Sequence, residues 1–144
     1  MLTITGDNKS IIKDHRGAII DYTKAIELDP NDANAYYYRG HSKSALKDHR
    51  GAIIDFTKGI ELDPNNANAY YSRGLSKDSL EDYRGGIIDY TKVVELDPND
   101  ANAYYLRGFN KIILGQINSG CLDFSKAGEL GEKEAYESIK NYCQ

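Results

Sequence analysis

The chain has 144 residues, and its 18 Lys and Arg against 22 Asp and Glu leave a formal charge of −4. Both signs are interspersed, with no basic tract to follow a phosphate backbone, which argues against nucleic acid as a partner. The longest apolar run is only a few residues, which excludes a membrane-spanning helix, and Met1-Leu2-Thr3-Ile4-Thr5-Gly6-Asp7 lacks the basic-then-apolar order of a signal peptide. As encoded, the product is expected in the cytoplasm; a trimmed chain from another compartment would read the same.

Asp29-Pro30-Asn31, Asp63-Pro64-Asn65 and Asp97-Pro98-Asn99 stand 34 residues apart, and Ala33–Asn66 is identical to Ala67–Asp100 at 23 of 34 positions. A fixed period of this size marks a stacked array of helical units that share a core, not a globule built round one active site. The first unit, 1–32, is incomplete: Gly6 is in register, but Leu2-Thr3-Ile4-Thr5 stands where later units have Ala-Tyr-Tyr. Its first helix is therefore degenerate, shortened or absent. Units 33–66 and 67–100 each open on a capping residue, Asp32 and Asn66, whose side chain can accept from the first free amides of a helix.

In the second of these units a first helix carries Ala69, Tyr70, Arg73, Gly74, Lys77 and Leu80 at three- and four-residue spacing. Asp82 caps a second helix with the apolar face Tyr83, Ile87, Tyr90, Val93, Val94 and Leu96, and Asp97-Pro98 ends it. Each unit is thus two antiparallel helices. Gly40, Gly74 and Gly108 fall mid-helix, at about 1 kcal/mol each against alanine, which predicts close helix approach there. Unit 101–131 follows the same plan but closes on Leu130-Gly131. Residues 132–144 form one more amphipathic helix through Ala135, Ile139 and Tyr142, suited to cap the last apolar face.

Tyr-x-x-x-Gly, an aromatic residue or His shortly before Ala/Gly-Ile, Tyr/Phe-x-x-Ala and then Asp-Pro: this order resembles the tetratricopeptide repeat. Tyr36, Tyr70 and Tyr104 stand where the family usually has tryptophan; Gly40, Gly74 and Gly108, Ala18 and Ala52, and Tyr22, Phe56, Tyr90 and Phe124 match its pattern. Gly86, Gly120, Gly59 and Val93 depart from family alanines. The run from Gly120 to Cys143 resembles the terminal caps of bacterial members. The resemblance covers nearly the whole of 1–144. It implies an all-α, right-handed α-solenoid of antiparallel helix pairs, with eight helices or nine.

The resemblance also implies a concave groove lined by the first helices. Its positions here are Asn34, Tyr37, His41, Ser44 and Ala45, then Asn68, Tyr71, Leu75, Asp78 and Ser79, then Asn102, Tyr105, Phe109, Ile112 and Ile113. Asparagine can serve both donors and acceptors of a peptide backbone, and tyrosine offers a rigid contact with a polar tip. The same residues also read as helix starts and packing. Family members that grip a chaperone's C-terminal carboxylate do so with lysine, arginine and asparagine. In the two registers those places hold Tyr37, His41, Ser72, Asn102 and Leu106, or Thr3, Asp7, Tyr38, Asn68 and Ser72. Neither has a cation, so that ligand class is rejected.

Arg39, Arg73 and Arg107 replace a usual leucine, and Asp55, Asp89 and Asp123 occupy the facing helix, which predicts structural ion pairs within the repeats. Asp21 lacks such an arginine because Thr5 replaces it. On the outer face, Ile20, Ile54, Ile88 and Leu122 fall where a polar residue is usual and form a candidate interface. Cys121 and Cys143 lie on either side of a turn at Gly131, so a disulfide is feasible, while a reduced pair is the default in the cytosol. With two thiols and no Cys-x-x-Cys, no metal site is expected. No nucleophile–base set or phosphate loop is present, so neither catalysis nor a cofactor is expected. The sequence points to a protein or peptide partner in the groove, with homo-oligomeric self-assembly through the outer face or the incomplete first repeat as the alternative.

Overall fold

A computed structural model describes residues 6–144, with side chains described from residue 14 onward. Among the described residues there are eight α-helices and no strand. The expectations for Leu2–Thr5 lie outside the described residues. The chain divides into two compact units, Met1–Pro64 and Asn65–Gln144.

The first unit holds α1 (Gly6–Leu28), α2 (Ala33–Ala45) and α3 (His49–Leu62), each packed on its neighbour in the chain. Asp32 caps α2 by accepting from the amides of Asn34 and Ala35, and Asp48 caps α3 through Gly51. Between them the chain reverses at Lys47, whose φ of 68° is left-handed, and Asp48 N–H closes back on Lys43 carbonyl at 2.9 Å. Ala35, Ala52, Phe56 and Ile60 are buried. The string Lys-Asp-His-Arg-Gly makes this turn at residues 47–51, yet at residues 13–17 the same five residues run on inside α1. A Cβ at Gly51 would strike the Asp48 carboxylate, whereas among the described residues nothing lies within 4 Å of one at Gly17. The first repeat is accordingly one 23-residue helix with no hairpin among the described residues.

The second unit runs α4 (Ala67–Ser79), α5 (Tyr83–Leu96), α6 (Ala101–Ile113), α7 (Ile117–Glu129) and α8 (Glu134–Tyr142), again packed in sequence. Asn66, Asp82 and Asp100 accept from the amides of Ala69, Gly85 and Ala103 and so cap α4, α5 and α6. Left-handed residues at Glu81 (φ 61°), Gly115 (81°) and Gly131 (106°) close α4, α6 and α7. Tyr90, Val93, Phe124, Ala127 and Ala135 are buried, and Tyr104, Ile112 and Ile139 pack on the last three of these. The mid-helix glycines mark close crossings, since a Cβ at Gly74 would come within 2.8 Å of the Tyr90 ring and one at Gly108 within 2.9 Å of Phe124.

Candidate functional site

Each repeat with both helices centres on an aspartate. Arg39 Nε and Nη2 donate to Asp55 at 2.9 and 2.7 Å, and Lys43 Nζ stands 2.9 Å from the same carboxylate. Arg73 holds Asp89 at 3.0 and 2.7 Å, with Lys77 at 3.0 Å. Arg107 holds Asp123 at 2.8 and 2.7 Å, with Lys111 at 2.8 Å. All three aspartates are buried, and each arginine also lies over a tyrosine ring: Tyr36, Tyr70 and Tyr104. The hydrogen bonds they donate to Asp55 and Asp123 raise the pKa of Arg39 and Arg107, so these cations are fixed. Asp21, at the matching place on α1, is exposed. Missing from the sequence reading was the lysine. Lys43, Lys77 and Lys111 lie one turn beyond each arginine, and that spacing was the available signal.

Tyr37, Tyr71 and Tyr105 are half-buried, and each leans on the buried ring of its second helix: Phe56 at 5.8 Å, Tyr90 at 5.9 Å and Phe124 at 5.5 Å between centroids. These tyrosines are therefore partly packing residues. Burial, followed by the charges of Asp100 and Glu132, raises the Tyr71 pKa, so the phenol stays protonated. Asn34, Asn68 and Asn102 are exposed, and the caps come from Asp32, Asn66 and Asp100, two residues earlier. His41 and Leu75 are exposed one turn beyond Tyr37 and Tyr71. Phe109 is half-buried between Phe124 at 5.8 Å and Tyr142 of α8 at 5.7 Å. Ile112 packs on the same cluster, and Tyr105 Oη lies 3.2 Å from Ser138 Oγ on α8.

One arrangement, without a counterpart among the other described residues, joins the third repeat to the fourth. Asp78 Oδ2 accepts from Tyr90 Oη at 2.7 Å and Oδ1 from Asn110 Nδ2 at 2.7 Å. Burial, more than anything else, pushes the Asp78 carboxyl above its ordinary value. Burial and the bond to Asp78 likewise raise the Tyr90 phenol. Gly86 makes room for the set, because a Cβ there would strike Asp78 and come within 2.6 Å of Asn110 Nδ2.

Ile20, Ile54, Ile88 and Leu122 are 57, 69, 68 and 72% exposed on α1, α3, α5 and α7. The structure joins Cys121 on α7 to Cys143 just past α8 in a disulfide, with the Cα atoms 5.9 Å apart. Among the described residues no group of three or more His, Cys, Asp or Glu could hold a metal, and no helix is long and apolar enough to cross a membrane.

This succession of capped helix pairs places the molecule in the class of α-solenoid repeats. A sequence model of the TPR repeat matches residues 13–47, and one of the tetratricopeptide repeat matches residues 33–66 and 67–100. The chain belongs to the tetratricopeptide repeat family, whose repeats generally mediate protein–protein interaction and are typically non-enzymatic. No curated protein matches it by sequence. A crystal structure of MamA protein is similar with TM-score 0.84 and 27% identity, over 93% of this chain and 74% of that one. A structure of MamA from Desulfovibrio magneticus RS-1, from residue 41 to its end, gives 0.76 and 27% over 87% and 71%. The first TPR of Spaghetti (RPAP3), bound to an HSP90 peptide, gives 0.74 over 81% and 94%; at 23% identity this is a likeness of fold.

Proposed function

We propose that this chain is an interaction module that holds a peptide or protein segment along the first helices of its repeats. Asn34, Tyr37 and His41 would contact it in the first unit, and Asn68, Tyr71, Leu75, Asn102, Tyr105, Phe109 and Ile112 in the second. The observation that carries this reading is the Asn–Tyr pair at the same place on α2, α4 and α6. The asparagines are exposed and play no part in capping, so their amides are free to meet a backbone. The tyrosines are fixed against buried rings and would lose little rotamer freedom on binding. Affinity capture from lysate of the source organism, with wild type beside a folded Tyr37→Ala, Tyr71→Ala, Tyr105→Ala variant, tests it. A protein retained by wild type alone supports the groove; equal recovery rejects it.

The exposure of Ile20, Ile54, Ile88 and Leu122 favours a second reading, self-association through the outer helices. Sedimentation of wild type beside Ile54→Glu, Ile88→Glu decides it. An unchanged mass would sink that reading.

A further inference from the structure

Asp78 differs from every other inward aspartate of the repeats. Asp55, Asp89 and Asp123 each hold an arginine and a lysine, whereas Asp78 has two neutral donors, Tyr90 and Asn110, and no ion pair among the described residues. The adjacent cation is committed elsewhere, with Lys77 Nζ 3.0 Å from Asp89. A carboxylate offers about four lone-pair directions, and two of Asp78's are used. Asp82 and Asp89 add to the negative field at this point. Three features therefore meet: partial burial, neutral support and uncompensated charge.

Spacing along α4 places Asp78 on one face with Tyr71 and Leu75, at i, i+4 and i+7. Tyr71 is half-buried, and Leu75 is 40% exposed. The stripe runs aromatic, aliphatic, anionic. The matching stripes are Tyr37, His41 and Ser44 on α2, and Tyr105, Phe109 and Ile112 on α6, neither with an acid. A side chain with a long apolar stem and a cationic tip fits the α4 stripe: the stem lies over Tyr71 and Leu75, and the tip meets Asp78.

We propose that Tyr71, Leu75 and Asp78 form a subsite for a lysine or arginine side chain of the bound segment, so that the partner of this module is basic at that point. The inference rests on the groove reading above and names the chemistry of its ligand. Asp78 is then a specificity residue, and the apolar end at Phe109 and Ile112 receives the segment's next anchor.

The test is selection of a phage-displayed random peptide library on the whole chain, followed by fluorescence polarisation with the recovered peptides. Expected is enrichment of Lys or Arg at one position, with binding that weakens as salt is raised. Asp78→Asn, which keeps the shape and can still bond Tyr90 and Asn110, should weaken these peptides about tenfold or more, that is by about 1.4 kcal/mol. Should Asp78→Asn fold poorly, Leu75→Arg serves instead, since it sets a guanidinium on the exposed face one turn from Asp78. It should abolish the preference for basic peptides. Peptides lost on Tyr71→Ala, Tyr105→Ala but without a basic residue, or indifferent to both acid-site variants, overturn this inference and leave the groove standing. Recovery of no peptide, or binding indifferent to the tyrosines, overturns both.

Discussion

Asn110 donates to Asp78 at 2.7 Å across the space that a side chain at residue 86 would fill. The two residues sit on α6 and α4, and the glycine between them on α5, so three helices share one polar contact. In the preceding repeat the matching places hold Ser44 and Ala52, and in the following one Ile112 and Gly120. Where the first-helix residue is small, the second helix carries alanine; where it is larger, glycine. A Cβ on Gly120 would come within 2.9 Å of Ile112.

Gly86→Ala should therefore lower stability by about 1–3 kcal/mol through overpacking, despite alanine's better helix propensity. Asp78→Ser, Gly86→Ala restores the Ser44–Ala52 combination and should be at least about 0.5 kcal/mol more stable than the sum of the single changes. Urea denaturation of the four proteins in this cycle measures the coupling. Strict additivity would remove the packing explanation for Gly86.

The same carboxylate has a signature in acid. Its pKa is raised above the ordinary 3.8, so between that value and its folded value the folded state binds more protons than the unfolded chain. The contribution of Asp78 to unfolding free energy therefore falls as pH rises through that window. Asp78→Asn removes this slope, so the difference, variant minus wild type, should climb with pH and then level off. Denaturant titrations of both proteins across the acid range provide the check, and a flat difference would contradict a raised pKa.

These relationships were unevenly legible in the sequence. Caps, helix pairs and the Arg–Asp contacts recur at a fixed period, and recurrence makes a physical role visible: a residue kept at Arg39, Arg73 and Arg107 opposite Asp55, Asp89 and Asp123 has one natural explanation. The Tyr90–Asp78–Asn110 set is the reverse case. It joins Asp78 to Tyr90 and Asn110, 12 and 32 residues away; Tyr90 matches the family pattern, and each of the other two alone reads as tolerated variation. Local sequence failed again at Lys13–Gly17 and Lys47–Gly51, where one string gives a helix interior and a left-handed turn. The turn at Lys47 is held by the helices on either side of it. α2 and α3 pack together once the chain reverses, and that gain outweighs the strain of a left-handed lysine.

The buried aspartates should be the most costly polar residues to alter. Asp123→Asn keeps the volume but leaves Arg107 and Lys111 without their anion. Breaking one side of such a pair costs about 3–5 kcal/mol when the remaining charge is fully buried. Here both cations keep some contact with water, so a loss of about 2–4 kcal/mol is expected. Asp21→Asn, at the exposed place on α1, should change stability by no more than about 0.5 kcal/mol. Thermal melts of the two variants set the contrast, and equal losses would mean that the ion pairs contribute nothing particular.

The last helix depends on its covalent tie. α8 has nine residues, and a helix of that length is marginal in water by its own propensity. What holds it is buried Ala135, packed Ile139, the Tyr105–Ser138 and Phe109–Tyr142 contacts, and the Cys121–Cys143 bond spanning 22 residues. A cross-link over a loop of that size stabilises by about 3 kcal/mol in the chain-entropy account. Reduction with a dithiol, or Cys143→Ser, should lower unfolding free energy by about 2–4 kcal/mol. The loss should be local: amide exchange across Glu134–Tyr142 should speed up well before that of α5, whose Tyr90 and Val93 are buried in the middle of the unit. Because Phe109 and Tyr105 lean on α8, loosening it would also unsettle the apolar end of the proposed groove, and peptide binding there should weaken on reduction. Unchanged exchange in α8 after reduction would show that packing alone seats the cap and that the bond serves only the unfolded chain.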